Sequence, residues 1–204
     1  MNCNSVFIDG KVPVLIDPGW THHVPSLLRR MQEDGLNPSK IKLIICTHGH
    51  PDHFGGTGAF KDRPVRIAIS HLEEEFIERS GRETYKGQGL KFPEYRVDFY
   101  IKDGDLILGK HELRILFTPG HSPGSVCIYW PRYKVLICGD LVFMGSVGRT
   151  DLPGGNGKQL FASIDKISEL PIEMIIPGHG PVIQGQQDVR RNFDLVKRAL
   201  FGLV

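Results

Sequence analysis

Short apolar runs alternate with stretches of helical periodicity along the first part of the chain. VLID (14–17), LIIC (43–46) and VRIAIS (65–70) are compact apolar runs, and each predicts a strand. Between the first two, Val24, Leu27, Leu28 and Met31 recur at helical spacing and predict an amphipathic helix over 23–35. Pro51 can open another helix, since the first helical position has no intrahelical donor to lose. Ser70 and Glu73 have the spacing of a capping box and predict a helix to about residue 79. Residues 80–96 show no period and read as an exposed loop, a candidate lid or substrate wall. Then come strands without helices between them: VDFYI, LIL, LRILF, SVCIYW and KVLIC. A Gly-rich stretch covers 145–158. Leu160, Phe161, Ile164 and Ile167 predict a helix, EMII (173–176) a strand, and Val189, Phe193, Val196 and Leu200 a last helix. The class is therefore α/β, and 204 residues suit one domain over 1–204.

Four of the apolar runs end in the same way. LIIC leads into THGHPDH, which carries His48, His50, Asp52 and His53; RILF leads into TPGH and His121; VLIC leads into GD and Asp140; EMII leads into PGHG and His179. Solvation gives no reason to crowd His and Asp just past buried strands, because Lys or Glu would serve. A shared metal does. Strand ends along one sheet edge can converge, so the pattern proposes one site built from four loops. Imidazole and carboxylate without thiolate suit zinc, iron, manganese, nickel or cobalt. Seven ligands exceed one tetrahedral ion and suit two, with a bridging carboxylate, which is a hydrolytic arrangement. His22 and His23 read as exposed, His71 as structural, and His111 as a hairpin-turn residue.

Composition narrows the options. The chain is 40% hydrophobic and 24% charged with a formal net charge of +2, too small to imply nucleic acid or a membrane surface. No run approaches the roughly 18 apolar residues of a spanning helix, and no signal peptide is visible. Cys3, Cys46, Cys127 and Cys138 form no CxxC pair and read as buried free thiols, which fits a cytoplasmic location. GGNGKQ is not a phosphate loop, since Gln159 stands where Ser or Thr is needed and Leu152 where the first Gly is needed.

Taken in order, THGHPDH, TPGHSPGS, GD and PGHG resemble the metallo-β-lactamase superfamily over about 2–182. IDPG (16–19) and GRTD (148–151) make the chain similar to its glyoxalase II-like (hydroxyacylglutathione hydrolase-like) and persulfide dioxygenase-like branch. The resemblance implies a four-layer αβ/βα sandwich of two mixed sheets flanked by helices. It implies His48, His50 and His121 on a first metal, Asp52, His53 and His179 on a second, and Asp140 bridging them. Asp17 would orient a ligand, and Arg149 and Asp151 would lie near the substrate. Only about 22 residues follow PGHGPV, so the C-terminal helical domain that helps hold glutathione in full-length glyoxalase II is not expected.

The leading expectation is a hydrolase of thioesters, acting by metal-bound hydroxide, with two divalent ions, zinc first and iron or manganese as alternatives. Asp52 and Asp140 are its catalytic candidates, Asp52 as a ligand rather than a base. The substrate would be a small thiol-derived molecule, with no nucleic-acid or membrane partner; oligomeric state is open, a homodimer included. The alternative is a mononuclear Fe(II) persulfide dioxygenase using His48, His121 and Asp140, a two-His, one-carboxylate set. A phosphodiesterase or ribonuclease ranks lower, since the chain lacks a basic arm for RNA, and a non-enzymatic metal-binding protein ranks last.

Overall fold

The structure is a computed structural model, and it describes residues 2–87 and 89–201. The chain divides into two compact units. One comprises residues up to Ile101 together with Leu108–Lys110; the other comprises Lys102–Ile107 and the chain from His111 onward.

In the first unit, β1 (Val6–Ile8) and β2 (Val14–Ile16) form a hairpin, followed by α1 (Val24–Glu33), β3 (Leu43–Ile45), α2 (Pro51–Phe54), β4 (Arg66–Ser70), α3 (His71–Phe76), α4 (Arg82–Gly87) and β5 (Phe99–Ile101). The sheet order is β1-β2-β3-β4-β5, antiparallel at β1/β2 and parallel thereafter. Its register sets Leu15, Ile44 and Ile67 side by side, and these pack with Val24 and Met31 of α1 and with Phe54 and Phe60. Every residue of β2 and β3 is buried, which is why these strands read as unbroken apolar runs. Each fully buried Leu, Ile or Phe here contributes about 1.5–3 kcal/mol of transfer free energy.

The second unit holds β6 (Gly104–Leu108), β7 (His111–Phe117), β8 (Val126–Trp130), β9 (Val135–Gly139), the hairpin β10 (Val142–Phe143) and β11 (Ser146–Val147), α5 (Gly157–Ser168), β12 (Met174–Pro177), β13 (Ile183–Gln184) and α6 (Gln186–Phe201). The main sheet runs β13-β12-β9-β8-β7-β6, with β12 and β9 parallel. Tyr129, Leu136, Ile175 and Ile183 align across four strands, covered by Leu160, Ile164 and Ile167 of α5 and Val189, Phe193 and Val196 of α6. Asn156 caps α5 by accepting from the Gln159 amide at 3.1 Å, so GGNGKQ opens a helix. Two mixed sheets with helices packed on them are the α/β architecture the sequence led us to expect. No helix among the described residues is long and apolar enough to cross a membrane.

Three local expectations need correction. The stretch 80–96 is not all loop: a π-helical turn over Ile77–Gly81 runs from α3 into α4, and irregular chain follows. Ser70 and Glu73 do not form a capping box, because the α3 N-cap makes no side-chain hydrogen bond. His111 is not a turn residue. It begins β7, is 7% exposed, and meets Trp130 edge-on at 5.0 Å between ring centroids.

Candidate metal centre

In a parallel sheet, neighbouring strands deliver their C-terminal ends to the same edge. In the first unit β2 leads into Asp17, β3 leads through Cys46 to Thr47 and His48, and β4 leads into α3 and Glu73. The central loop, THGH, is therefore held from both flanks. On one side Asp17 Oδ1 accepts from the Thr47 amide and Oδ2 from the Thr47 hydroxyl, each at 2.7 Å, and Oδ2 also meets His53 Nδ1 at 2.9 Å. On the other side the Glu73 carboxylate accepts from the Gly49 amide at 2.7 Å. Both acids are buried, at 1% and 0% exposure. Asp17 also adopts φ +52°, a left-handed conformation that costs a non-glycine residue about 1–3 kcal/mol and persists only where the surroundings over-determine it.

These bonds fix the imidazoles. The Thr47 hydroxyl has one proton and gives it to Asp17, so its contact with His48 Nδ1 at 3.1 Å requires His48 to donate. His53 donates from Nδ1 to Asp17. Both rings therefore turn an Nε2 lone pair outward, the arrangement that metal-ligating histidines need. His50 precedes α2 and meets His48 edge-on at 4.9 Å, while His53 lies 4.1 Å from His48. Asp52, half-buried, sits in the same first turn of α2. The first unit thus gathers His48, His50, His53 and Asp17, with Asp52 in the turn that follows His50.

The second unit gathers the rest. Parallel β9 and β12 end together, with the Gly178 amide donating to the Gly139 carbonyl at 2.7 Å, so Asp140 and His179 leave adjacent strand ends. His121 donates from Nδ1 to the Arg149 carbonyl at 2.8 Å, again leaving Nε2 as the acceptor. One oxygen of Asp140, Oδ2, lies 3.6 Å from His121 Nε2 and 3.6 Å from His179 Nε2. That is too long for hydrogen bonds. It is close to the spacing of two atoms that each ligate one ion at about 2.0–2.2 Å. Gly148 is required here, since a Cβ at that position would meet the Asp140 carbonyl at 1.8 Å and His121 Nδ1 at 3.1 Å. Asn192 of α6 accepts from the Gly145 amide at 2.8 Å and donates to the Phe143 carbonyl at 3.0 Å, pinning the β10–β11 hairpin, whose Phe143 ring lies 6.0 Å from that of His179.

Arg149 reaches His121 through its backbone carbonyl. Its guanidinium forms a two-pronged pair with Asp151 at 2.9 and 2.8 Å, on the surface, and this pair holds the Asp151 carboxyl down at about 2. Sequence reasoning overlooked Thr47 and Glu73. Thr47 lies inside THGHPDH but is not a metal-ligand type, and the spacing of Ser70 and Glu73 points to a local cap. The four cysteines are buried free thiols, and burial pushes the Cys127 thiol up to about 12.

The model of the family described as "Metallo-beta-lactamase superfamily" matches residues 1–179. The chain belongs to this superfamily. The hydroxyacylglutathione hydrolase GloC of Haemophilus influenzae is 33% identical over 94% of this chain and 91% of its own. The probable metallo-hydrolase YqgX of Bacillus subtilis is 35% identical over 89% and 86%. The crystal structure of TTHA1623 in a di-iron-bound form superposes with a TM-score of 0.79 at 34% identity, covering 93% of each chain. These relatives put the protein on the glyoxalase II-like branch of the metallo-β-lactamase superfamily, with its α/β fold and clusters of His and Asp suited to metal. It is a metallo-hydrolase by family.

Proposed function

We propose that the protein hydrolyses thioesters at a dinuclear metal site. His48, His50 and His121 would hold one ion, Asp52, His53 and His179 the other, and Asp140 both. The observation that carries this reading is the Asp140 carboxylate, one oxygen of which stands equally far from two imidazole nitrogens. The donor set supports it, because imidazoles with anchored Nδ1 atoms and aspartates without thiolate suit a catalytic rather than a structural site. Zinc is the first choice, with iron or manganese as alternatives. Divalent ions held there would supply an activated water and polarise the acyl oxygen.

The chain's own residues do the positioning. Asp17 and Thr47 set the tautomers of His48 and His53, the Arg149 carbonyl sets that of His121, and Glu73 holds the turn between His48 and His50. A thiolate with a parent pKa near ~8.5 leaves without a strong general acid, which agrees with two clusters built from ligands and their anchors. The low net charge supports a small-molecule substrate over nucleic acid. Four buried free thiols fit a cytoplasmic setting.

A panel of S-acyl thiols, read by thiol release, tests the proposal. Turnover that chelation abolishes and metal restores supports it. Oxygen uptake with a persulfide, or hydrolysis confined to β-lactams or phosphodiesters, would replace it.

A further inference from the structure

The first unit contains a cleft of about 400 Å³, lined by Trp20, Pro51, Tyr85, Leu90 and Phe92, with Lys61 and its ion-pair partner Glu94 also on its wall. This is toward the small end of ligand pockets, which run roughly 300–1,000 Å³. Three of its residues are aromatic. Tyr85 meets Phe92 edge-on at 5.1 Å, and the Arg82 guanidinium lies over Phe92 at 4.6 Å. Pro51 is the first residue of α2, so the cleft borders the turn that carries Asp52 and His53.

The lining also carries Thr21, His22, Lys61, Lys91 and Glu94, and Tyr85 is its buried polar side chain left unpaired among the described residues. The residue is 2% exposed, and its hydroxyl has no hydrogen-bond partner among the described residues. Burial, then Cys46 and Asp52, push its pKa far up, so it is a neutral donor at any physiological pH. A buried hydroxyl left unpaired costs about 1–3 kcal/mol, which phenylalanine would avoid at the same shape. The hydroxyl packs against Gly55, two residues beyond His53, where a Cβ would come within 3.3 Å of it. The π-helical turn over Ile77–Gly81 lies just before α4, and such insertions re-aim the helix that follows, often at functional sites.

We propose that this cleft seats the acyl group of the substrate, an aryl group bearing one oxygen acceptor that takes the Tyr85 hydrogen bond. The aromatic lining favours a flat ring, and the unpaired Tyr85 donor selects a ring with an acceptor over its plain hydrocarbon analogue. Calling the occupant an acyl group rests on the thioesterase reading above; the cleft as an aryl-binding site does not.

The test separates the two. Trp130→Phe leaves Trp20 as the sole tryptophan of the two in the chain. The full chain carrying this change is titrated with 4-methoxyphenylacetamide and 4-methylphenylacetamide, neutral probes that differ in the acceptor oxygen, and Trp20 emission is followed. Saturable changes are expected, with the methoxy probe bound roughly two- to tenfold more tightly. Tyr85→Phe should erase that preference and leave the melting temperature equal or higher. No saturable change, a preference that survives Tyr85→Phe, or a melting temperature several degrees lower in that variant would overturn the proposal. Probe discrimination without turnover of any thioester would sink the hydrolase reading and leave the cleft standing. Turnover without discrimination would do the reverse.

Discussion

Replacing Glu73 should damage metal binding more than its distance along the chain from the ligands suggests. Its carboxylate is fully buried and accepts at 2.7 Å from Gly49, the residue between His48 and His50. In Glu73→Ala the Gly49 amide loses a charge-assisted acceptor where water has no ready access, at a cost of about 1–3 kcal/mol. The lost volume adds to this. For a chain of this size, each kcal/mol lowers the melting temperature by about 2–4 °C, so a fall of roughly 2–12 °C is expected. The turn that sets His48 against His50 also loosens, and loss of such a supporting contact typically costs about 10–100-fold in metal affinity. Glu73→Gln keeps an acceptor oxygen and nearly the same shape, and should recover most of both losses. Competition against a zinc chelator, with melting curves of the metal-loaded and metal-stripped protein, measures the two effects separately. A Glu73→Ala protein with wild-type metal affinity and only a lower melting temperature would refute the positioning role and leave Glu73 as a packing residue. Equal damage from Ala and Gln would refute the acceptor argument.

Other outcomes follow from the same geometry. His50→Ala and Asp140→Asn should each lower metal content and cut hydrolysis by more than about 100-fold; full metal content with full activity in both would remove the ligand assignment. Gly148→Ala should destabilise by about 2–4 kcal/mol and lose activity together, because its Cβ would overlap the Asp140 carbonyl at 1.8 Å; an unchanged urea midpoint would contradict it. Burial raises the Cys127 thiol from 9.0 to about 12, so the unfolded chain loses this proton first as pH rises. Its contribution to stability is therefore intact below about pH 9 and declines above it by up to about 1.4 kcal/mol per pH unit. Urea midpoints from pH 8 to 11 should fall more steeply for the parent than for Cys127→Ala, and parallel slopes would count against this. Asp17→Asn should weaken metal binding about 10–100-fold by disturbing the Nδ1 bond of His53 and the Thr47–His48 relay, a loss that chelator competition detects.

How legible the molecule was in its sequence depended on the range of the interaction. The candidate ligands stand out because each follows an apolar run, and strands that run the same way, as β7, β9 and β12 do within their mixed sheet, turn "just past a strand" into "at one edge". Pro51 opening α2 and the two amphipathic faces of α5 and α6 were readable because cap and period are local. Glu73 was not. Its Ser-x-x-Glu spacing fits a capping box, but the Gly49 amide, 24 residues earlier, offers a buried donor that only the sheet order brings within reach. The α4 helix was hidden because RETYKG buries one residue, Tyr85, and so has no period to detect. His111 was misread because an isolated histidine beside a Lys and a Glu looks like a turn, whereas β7 alternates inward and outward from its first residue. The β10–β11 hairpin was missed because two-residue strands carry no pattern, and the side chain that pins it, Asn192, lies on the last helix.

The most direct test of the central claim is elemental analysis of metal per chain on anaerobically purified protein, alongside the same measurement on Asp140→Asn. The account predicts about two divalent ions per wild-type chain and a clear loss in the variant. One iron per chain would contradict the dinuclear hydrolase in favour of oxygen chemistry, and no metal after reconstitution would contradict the metal centre itself.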